Sequence, residues 1–203
     1  QLWAQLNHPG KQSPKGLNAR NISASAVPFG TEMQSLFTTP DEATHDEIIE
    51  IIQRFGRSAV ICKNAGFSGV EIHAAHGYLI NQFLSPLHNL RTDEWGGTPE
   101  KRRKFLMDVY TEIRKQVGAD FPIAIKLNSA DFQQGGFTEE DSLEVIKALA
   151  AAEIDLIEIS GGTYESGVAK APQKSSTIIR EAFFIDFAEK VRAQVKIPLM
   201  VTG

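Results

Sequence analysis

The sequence predicts a parallel α/β barrel, a (β/α)8 TIM barrel of which about strands 3 to 7 are present. Three observations carry this expectation. Short apolar runs alternate with helix-period runs five times along the 203 residues. No Asn-Gly or similar hairpin signal joins neighbouring apolar runs, so the connections read as right-handed crossovers between parallel strands. Each apolar run also closes on small or polar residues: Asn7-His8, His73, Asn128-Ser129, Ser160-Gly161 and Thr202-Gly203. Reactive ends on every successive strand suit a barrel, where all ends ring one cavity, better than an open sheet, where only the switch point is used. The G-x-G-x-x-G fingerprint of dinucleotide-binding open sheets is absent.

The elements follow in order. Gln1 to Leu6 is short and apolar and stops at Asn7-His8-Pro9-Gly10, so it reads as a buried strand. Lys11 to Asp41 shows no periodicity and reads as a long loop, a form often tied to function. Thr44 caps a helix with Glu47 at capping-box spacing, and Ile48, Ile52, Phe55, Ala59 and Cys62 form one apolar stripe. Cys62 is therefore expected in the core. The strand Val70 to Ile72 follows, then a helix Leu79 to Leu84. A second long helix, Pro99 to Val117, places Phe105, Val109 and Ile113 on one face. Its basic start, Lys101-Arg102-Arg103-Lys104, reads as a solvated face. Strand Ile123 to Leu127, a helix capped by Thr138 with Asp141, strand Leu156 to Ile159, a helix around Phe183 to Val195 and strand Pro198 to Val201 complete the series.

Composition narrows the function classes. With 42% apolar and 23% charged residues the chain has ample core for one domain over 1–203. A net charge of -4 argues against a nucleic-acid binder. No apolar run approaches the ~20 residues that span a membrane, and a cytoplasmic setting is the expectation. One cysteine excludes an internal disulfide framework or a cysteine-built metal site. The chain starts at Gln1 inside one apolar run and stops at Gly203 directly after another, so both ends are expected to be truncated.

The chemistry concentrates at one strand end, where His73, His76 and Tyr78 fall within six residues. In a parallel barrel that is where reactive side chains collect. Two imidazoles suit oxyanion stabilisation, and they also suit a metal, which leaves a metal-dependent barrel hydrolase as an alternative. The nearest third ligand, Glu71, is expected to point away from Ile72 along the strand. Arg91 and Glu94 read as part of a loop folded over the barrel rim. Asn128 and Ser160-Gly161-Gly162 read as lining the same mouth.

The stretch GVEIHAAHGYLINQFLSPLHNLRTDEWGG, with TPEKRRKF after it, resembles the Old Yellow Enzyme family of FMN-dependent NAD(P)H:flavin oxidoreductases, in its histidine-pair form. QLNHPGK is similar to that family's third-strand segment and IKLNSADF to its fifth. The resemblance covers essentially the whole chain, with the first two strands, the eighth and most of the phosphate-binding region absent. It departs at Lys126, where Arg is common, at Trp95, where Tyr is common, and at Lys104, where a second Arg is common.

What the resemblance implies is a flavoprotein working by ping-pong transfer, with FMN as cofactor and NAD(P)H as reductant. The acceptor would be a small molecule, an α,β-unsaturated carbonyl. His73 and His76 would hold its oxygen, and Tyr78 would give a proton to carbon. Gln5, taken as buried, would pair with the flavin pyrimidine edge, Lys126 would place a cation at its N1/C2 edge, and Gly203 would belong to the cofactor site. No resident metal, nucleic acid or membrane partner is implied. A homo-oligomer of the full-length protein stays open, as does a catalytically inert role for this stretch alone.

Overall fold

The computed structural model describes residues 1–166 and 184–202. Five strands form one sheet: β1 (Trp3–Leu6), β4 (Gly69–Ala74), β5 (Ile123–Asn128), β6 (Leu156–Ser160) and β7 (Leu199–Val201), all parallel and adjacent in that order. Each strand lies beside its predecessor and the order never reverses, which is the succession of a barrel rather than of a doubly wound sheet. Two further strands of two residues, β2 (Ile22–Ser23) and β3 (Asp41–Glu42), pair with each other inside the segment expected to be an unstructured loop.

Helices α1 (His45–Asn64), α3 (Pro99–Val117) and α4 (Glu139–Ala151) cover the outer face, joined there by Phe187 and Val191 of a further helical stretch; the short α2 (Leu79–Leu84) caps the strand ends. Both expected capping boxes form, Thr44 with Glu47 and Thr138 with Asp141. Alternation along each strand sends Val70, Ile72, Ile123, Ile125, Leu127, Ile157 and Ile159 outward into one core with Ile48, Phe55, Phe105, Val109, Ile113 and Ile146. The opposite, inner face is small or polar. Residues 184–192 are helical; Phe183 and Gly203 lie outside the described residues. Among the described residues no helix is long and apolar enough to cross a membrane.

Several expectations are corrected. The strands run longer than their apolar cores, because His73, Asn128 and Ser160 continue the ladder while facing inward. In the sheet described, β1 has a neighbour only on its β4 side, and Gln5 is exposed there. Cys62 is half-buried, packed on the margin of the core. Arg102 is buried: Nε donates to Leu84 O (3.0 Å), Nη1 to Gly97 O (2.8 Å), and Asp141 lies 3.5 Å away. A helix-start cation here serves two orphan carbonyls, and its neighbours hide that in a run of charge.

The departures at Trp95 and Lys104 meet in one place. Asp108 accepts from Trp95 Nε1 (2.9 Å) and from Lys104 Nζ (2.7 Å), and the ammonium lies 5.5 Å from the Trp95 ring centre. Arg91 Nη1 donates to Ala24 O and Ala43 O (3.0 and 2.7 Å), pinning the long segment before α1 to the rim.

Arg102→Ala in the full-length protein should lower stability by about 1–3 kcal/mol, since two buried carbonyls lose their donor. Arg103→Ala should change it by less than about 0.5 kcal/mol. Urea midpoints of the two variants check this; equal midpoints would place Arg102 on the solvated face after all.

Candidate active site

The site is built on the turn after β4. His76 and the next residue, Gly77, both take left-handed backbone, φ 60° and 77°. For a histidine that conformation costs on the order of 1–3 kcal/mol and persists only if its surroundings hold it. They do. His76 N–H donates to Asn128 Oδ1 (3.1 Å), its carbonyl accepts from Gln12 Nε2 (2.8 Å), and Gly77 N–H donates to Asn81 Oδ1 (2.7 Å). Asn81 and Asn128 each donate to Asp131 Oδ1 at 3.0 Å, and all three are fully buried. A β-bridge from His76 to Thr163 ties the turn to the segment after β6.

The turn brings three of the expected side chains together. The His73 ring lies edge-on to His76 at 5.2 Å and to Tyr78 at 4.8 Å between centres. Ala75 N–H donates to His73 Nδ1 (3.3 Å), so the neutral ring carries its proton on Nε2. His76 Nε2 shares a hydrogen bond with Ser160 Oγ (2.8 Å). Burial, then the charges of His76 and Lys126, lowers His73 to about 4, and burial with Lys126 lowers His76 to about 4. Both rings are neutral at pH 7. A hydrogen bond with Tyr164, then burial, pushes the Tyr78 phenol up to about 12, so it stays protonated.

Below them the inner face carries charge. Lys126 stands beside His73 in register and its Nζ lies 2.6 Å from Glu158 Oε1 on β6. Gln5 Nε2 donates to Glu71 Oε2 (2.5 Å), and Thr202 donates to Glu158. Glu71 does point away from Ile72, which puts it on the face of His73. Among the described residues no group of three His, Cys, Asp or Glu side chains could hold a metal ion.

Sequence reasoning missed Glu158, Tyr164, Gln12 and Asn81. Tyr164 stands between two fixed neighbours. Thr163 and Ser166 close a turn on each other, and Glu165 is held by the buried Lys11 at 2.9 Å. Lys11 Nζ also lies 3.2 Å from His88 Nδ1 and 4.2 Å from the Phe29 ring centre. No local pattern marks these residues, since most of their partners lie on other elements, tens of positions away.

The NADH:flavin oxidoreductase / NADH oxidase family matches residues 1–203 of the chain. The chain belongs to this family. It is similar to the NADH-dependent flavin oxidoreductase nadA of Aspergillus parasiticus, 41% identical over 100% of the chain and 46% of that protein. Among solved structures it resembles 2-naphthoyl-CoA reductase in complex with 2-naphthoyl-CoA, with 32% identity, TM-score 0.84, and coverage of 98% of this chain and 31% of that one. An old yellow enzyme homologue from Zymomonas mobilis shares the fold at TM-score 0.77 and 24% identity, over 98% and 56% of the two chains. The chain thus spans about half the length of nadA.

The family is one of FMN-dependent flavin oxidoreductases. The inner face fits FMN chemically. It offers an amide at Gln5, an ammonium at Lys126 and ring N–H groups at His73 and His76, all donors that suit the carbonyl- and nitrogen-lined edge of a flavin.

Two outcomes follow from the ionisation of these groups. His8, His73, His76 and His88, each held at about 4 against 6.5 by burial first, bind fewer protons folded than unfolded. The stability they contribute is full above about pH 6.5 and lost as pH falls toward 4. Glu71, held at about 7, works in the opposite direction between 4.5 and 7. Changing His73 and His76 to Gln should therefore make the urea midpoint fall less steeply from pH 7 to 4.5 than in wild type; an identical slope would mean the rings are not buried neutral. Tyr164→Phe should bring the Tyr78 titration down from about 12 toward the ordinary ~10, read by ultraviolet difference absorbance. An unmoved titration would separate the two phenols.

Proposed function

We propose that the full-length protein is an FMN-dependent, ene-reductase-like oxidoreductase that passes a hydride from NAD(P)H to an α,β-unsaturated carbonyl. The observation that supports this reading best is the pairing of two neutral imidazoles with a protonated phenol at one strand end.

Bound FMN supplies the two-electron chemistry between the nicotinamide and the acceptor. The chain supplies position and electrostatics. His73 Nε2–H and the His76 ring donate to the acceptor's carbonyl oxygen, where negative charge grows as hydride reaches the β-carbon. Neutral rings suit this, because they donate without giving up a proton to the developing oxyanion. If Ser160 donates to His76 Nε2, the Nδ1 proton of His76 is the one offered to substrate. Tyr78 holds its proton until the α-carbon takes it. Gln5 and Lys126 would hold the pyrimidine edge of the cofactor, and Gly203 would join its site from outside the described residues. Asn128, Asn81 and Gln12 act only by holding the His76 turn.

In the flavin-loaded full-length enzyme, para-hydroxybenzaldehyde should bind as its phenolate and give a long-wavelength charge-transfer band. Replacing both His73 and His76 by Ala should weaken that binding about 10²–10³-fold. Undiminished affinity would remove the pair from the substrate site. Tyr78→Phe should slow reoxidation by an enone while flavin reduction by NAD(P)H stays within about twofold, since only the former needs a proton on carbon. Stopped-flow traces of the two half-reactions decide it, and equal loss in both would make Tyr78 a packing residue.

A further inference from the structure

On the inner face, two carboxylates serve one cation. Glu158 Oε1 lies 2.6 Å from Lys126 Nζ and accepts from Thr202 Oγ1, and Glu158 is also hydrogen-bonded to Glu71. Glu71 and Glu158 belong to β4 and β6, two strands that do not touch. On β5 between them, the residue level with Glu71 is Ala124, whose side chain is only a methyl, and the residue level with Glu158 is Lys126. Gln5 closes the row by donating to the other side of Glu71.

Two carboxyl groups in hydrogen-bond contact need a proton between them, as like charges at that distance cannot both ionise. The network is then neutral: Lys126 positive, Glu158 negative, Glu71 protonated. The ionisation directions agree. Burial, and next the bond to Glu158, holds Glu71 up at about 7. Burial pushes Glu158 up as well, but its bonds to Glu71, Lys126 and Thr202 outweigh that and keep it below its ordinary value. Among the described residues the other groups facing the network are Gln5 on β1, His73 on β4, His76 in the turn after it and Thr202 after β7; both rings are neutral at pH 7, so none of the four adds charge.

We propose that Glu158 sets the charge the inner face presents to the flavin, by holding Lys126 in an ion pair and sharing one proton with Glu71. This rests on the reading of Lys126 as a cofactor-edge residue. A cation there favours the negative charge that reduction brings to the flavin. Glu158 cancels most of that cation, so this chain holds its flavin at a lower potential than Lys126 alone would give. A structural role would require only one acid for one base; the second, protonated acid is what a strand-to-strand ion pair leaves unexplained.

The test uses the flavin-loaded full-length enzyme in dye-coupled reductive titrations. Glu158→Gln should raise the flavin midpoint potential by about 30 mV or more, the shift that corresponds to a tenfold change for a two-electron couple. Adding Lys126→Met to that variant should abolish the rise. If Glu158→Gln leaves the potential unchanged while Lys126→Met alone lowers it, the role of Glu158 is overturned and Lys126 keeps its place at the cofactor. If no variant moves the potential, the placement of Lys126 itself fails. A second readout does not depend on the cofactor's potential. The infrared spectrum of wild type at pH 6 should contain a buried protonated-carboxyl C=O band that Glu71→Gln removes. Its absence in wild type, or its survival in Glu71→Gln, overturns the shared proton even if Glu158→Gln does not fold.

Discussion

Left-handed backbone at His76 and Gly77 turns the chain so that the His73 ring meets both His76 and Tyr78 edge-on, and a cluster of buried polar side chains holds that turn. A histidine does not stay at φ 60° by itself. Gln12 from the segment after β1, Asn81 from α2 and Asn128 from β5 each supply one bond to the turn, and Asp131 binds both asparagines. These are fully or nearly fully buried polar groups, and apart from Gln12 Oε1, which has no hydrogen-bond partner among the described residues, they satisfy one another. The strain is thus spread over three elements, and the reactive rings are held both by this backbone path and by their own bonds to Ala75, Ser160 and Tyr164.

The two faces of the sheet divide the labour. Outward residues of β4, β5 and β6 are Val, Ile, Leu and Ala, and they fuse with the helices into one core. Inward residues carry Glu71, His73, Lys126, Asn128, Glu158 and Ser160. Placing that much polarity on one face is costly in a low-dielectric setting, and the sheet meets the cost with cross-strand pairs between β1 and β4 and between β5 and β6. The same burial keeps the imidazoles neutral, so stability and the state of the reactive groups have one origin.

Much of this was legible in the sequence. Helix caps were, because Thr44 with Glu47 and Thr138 with Asp141 are contacts three residues apart. Parallel strand direction followed from the absence of hairpins, and the barrel succession from the polar residues at every strand end. Strand ends were drawn short, since an apolar-run reading stops at His73 and Asn128 although both continue the ladder. Arg102 was hidden among neighbouring charges. The pairing of Lys126 with Glu158 depends on register across β5 and β6, which no local pattern encodes.

The account stands on His73 being a neutral donor whose proton sits on Nε2. Nitrogen-15 magnetic resonance of histidine-labelled full-length protein reads this directly, with the His73 signal assigned by its loss in His73→Gln. The predicted result is a neutral ring protonated at Nε2 at pH 7, taking up a second proton only as pH approaches about 4. A ring that is cationic at pH 6, or that carries its proton on Nδ1, would contradict it.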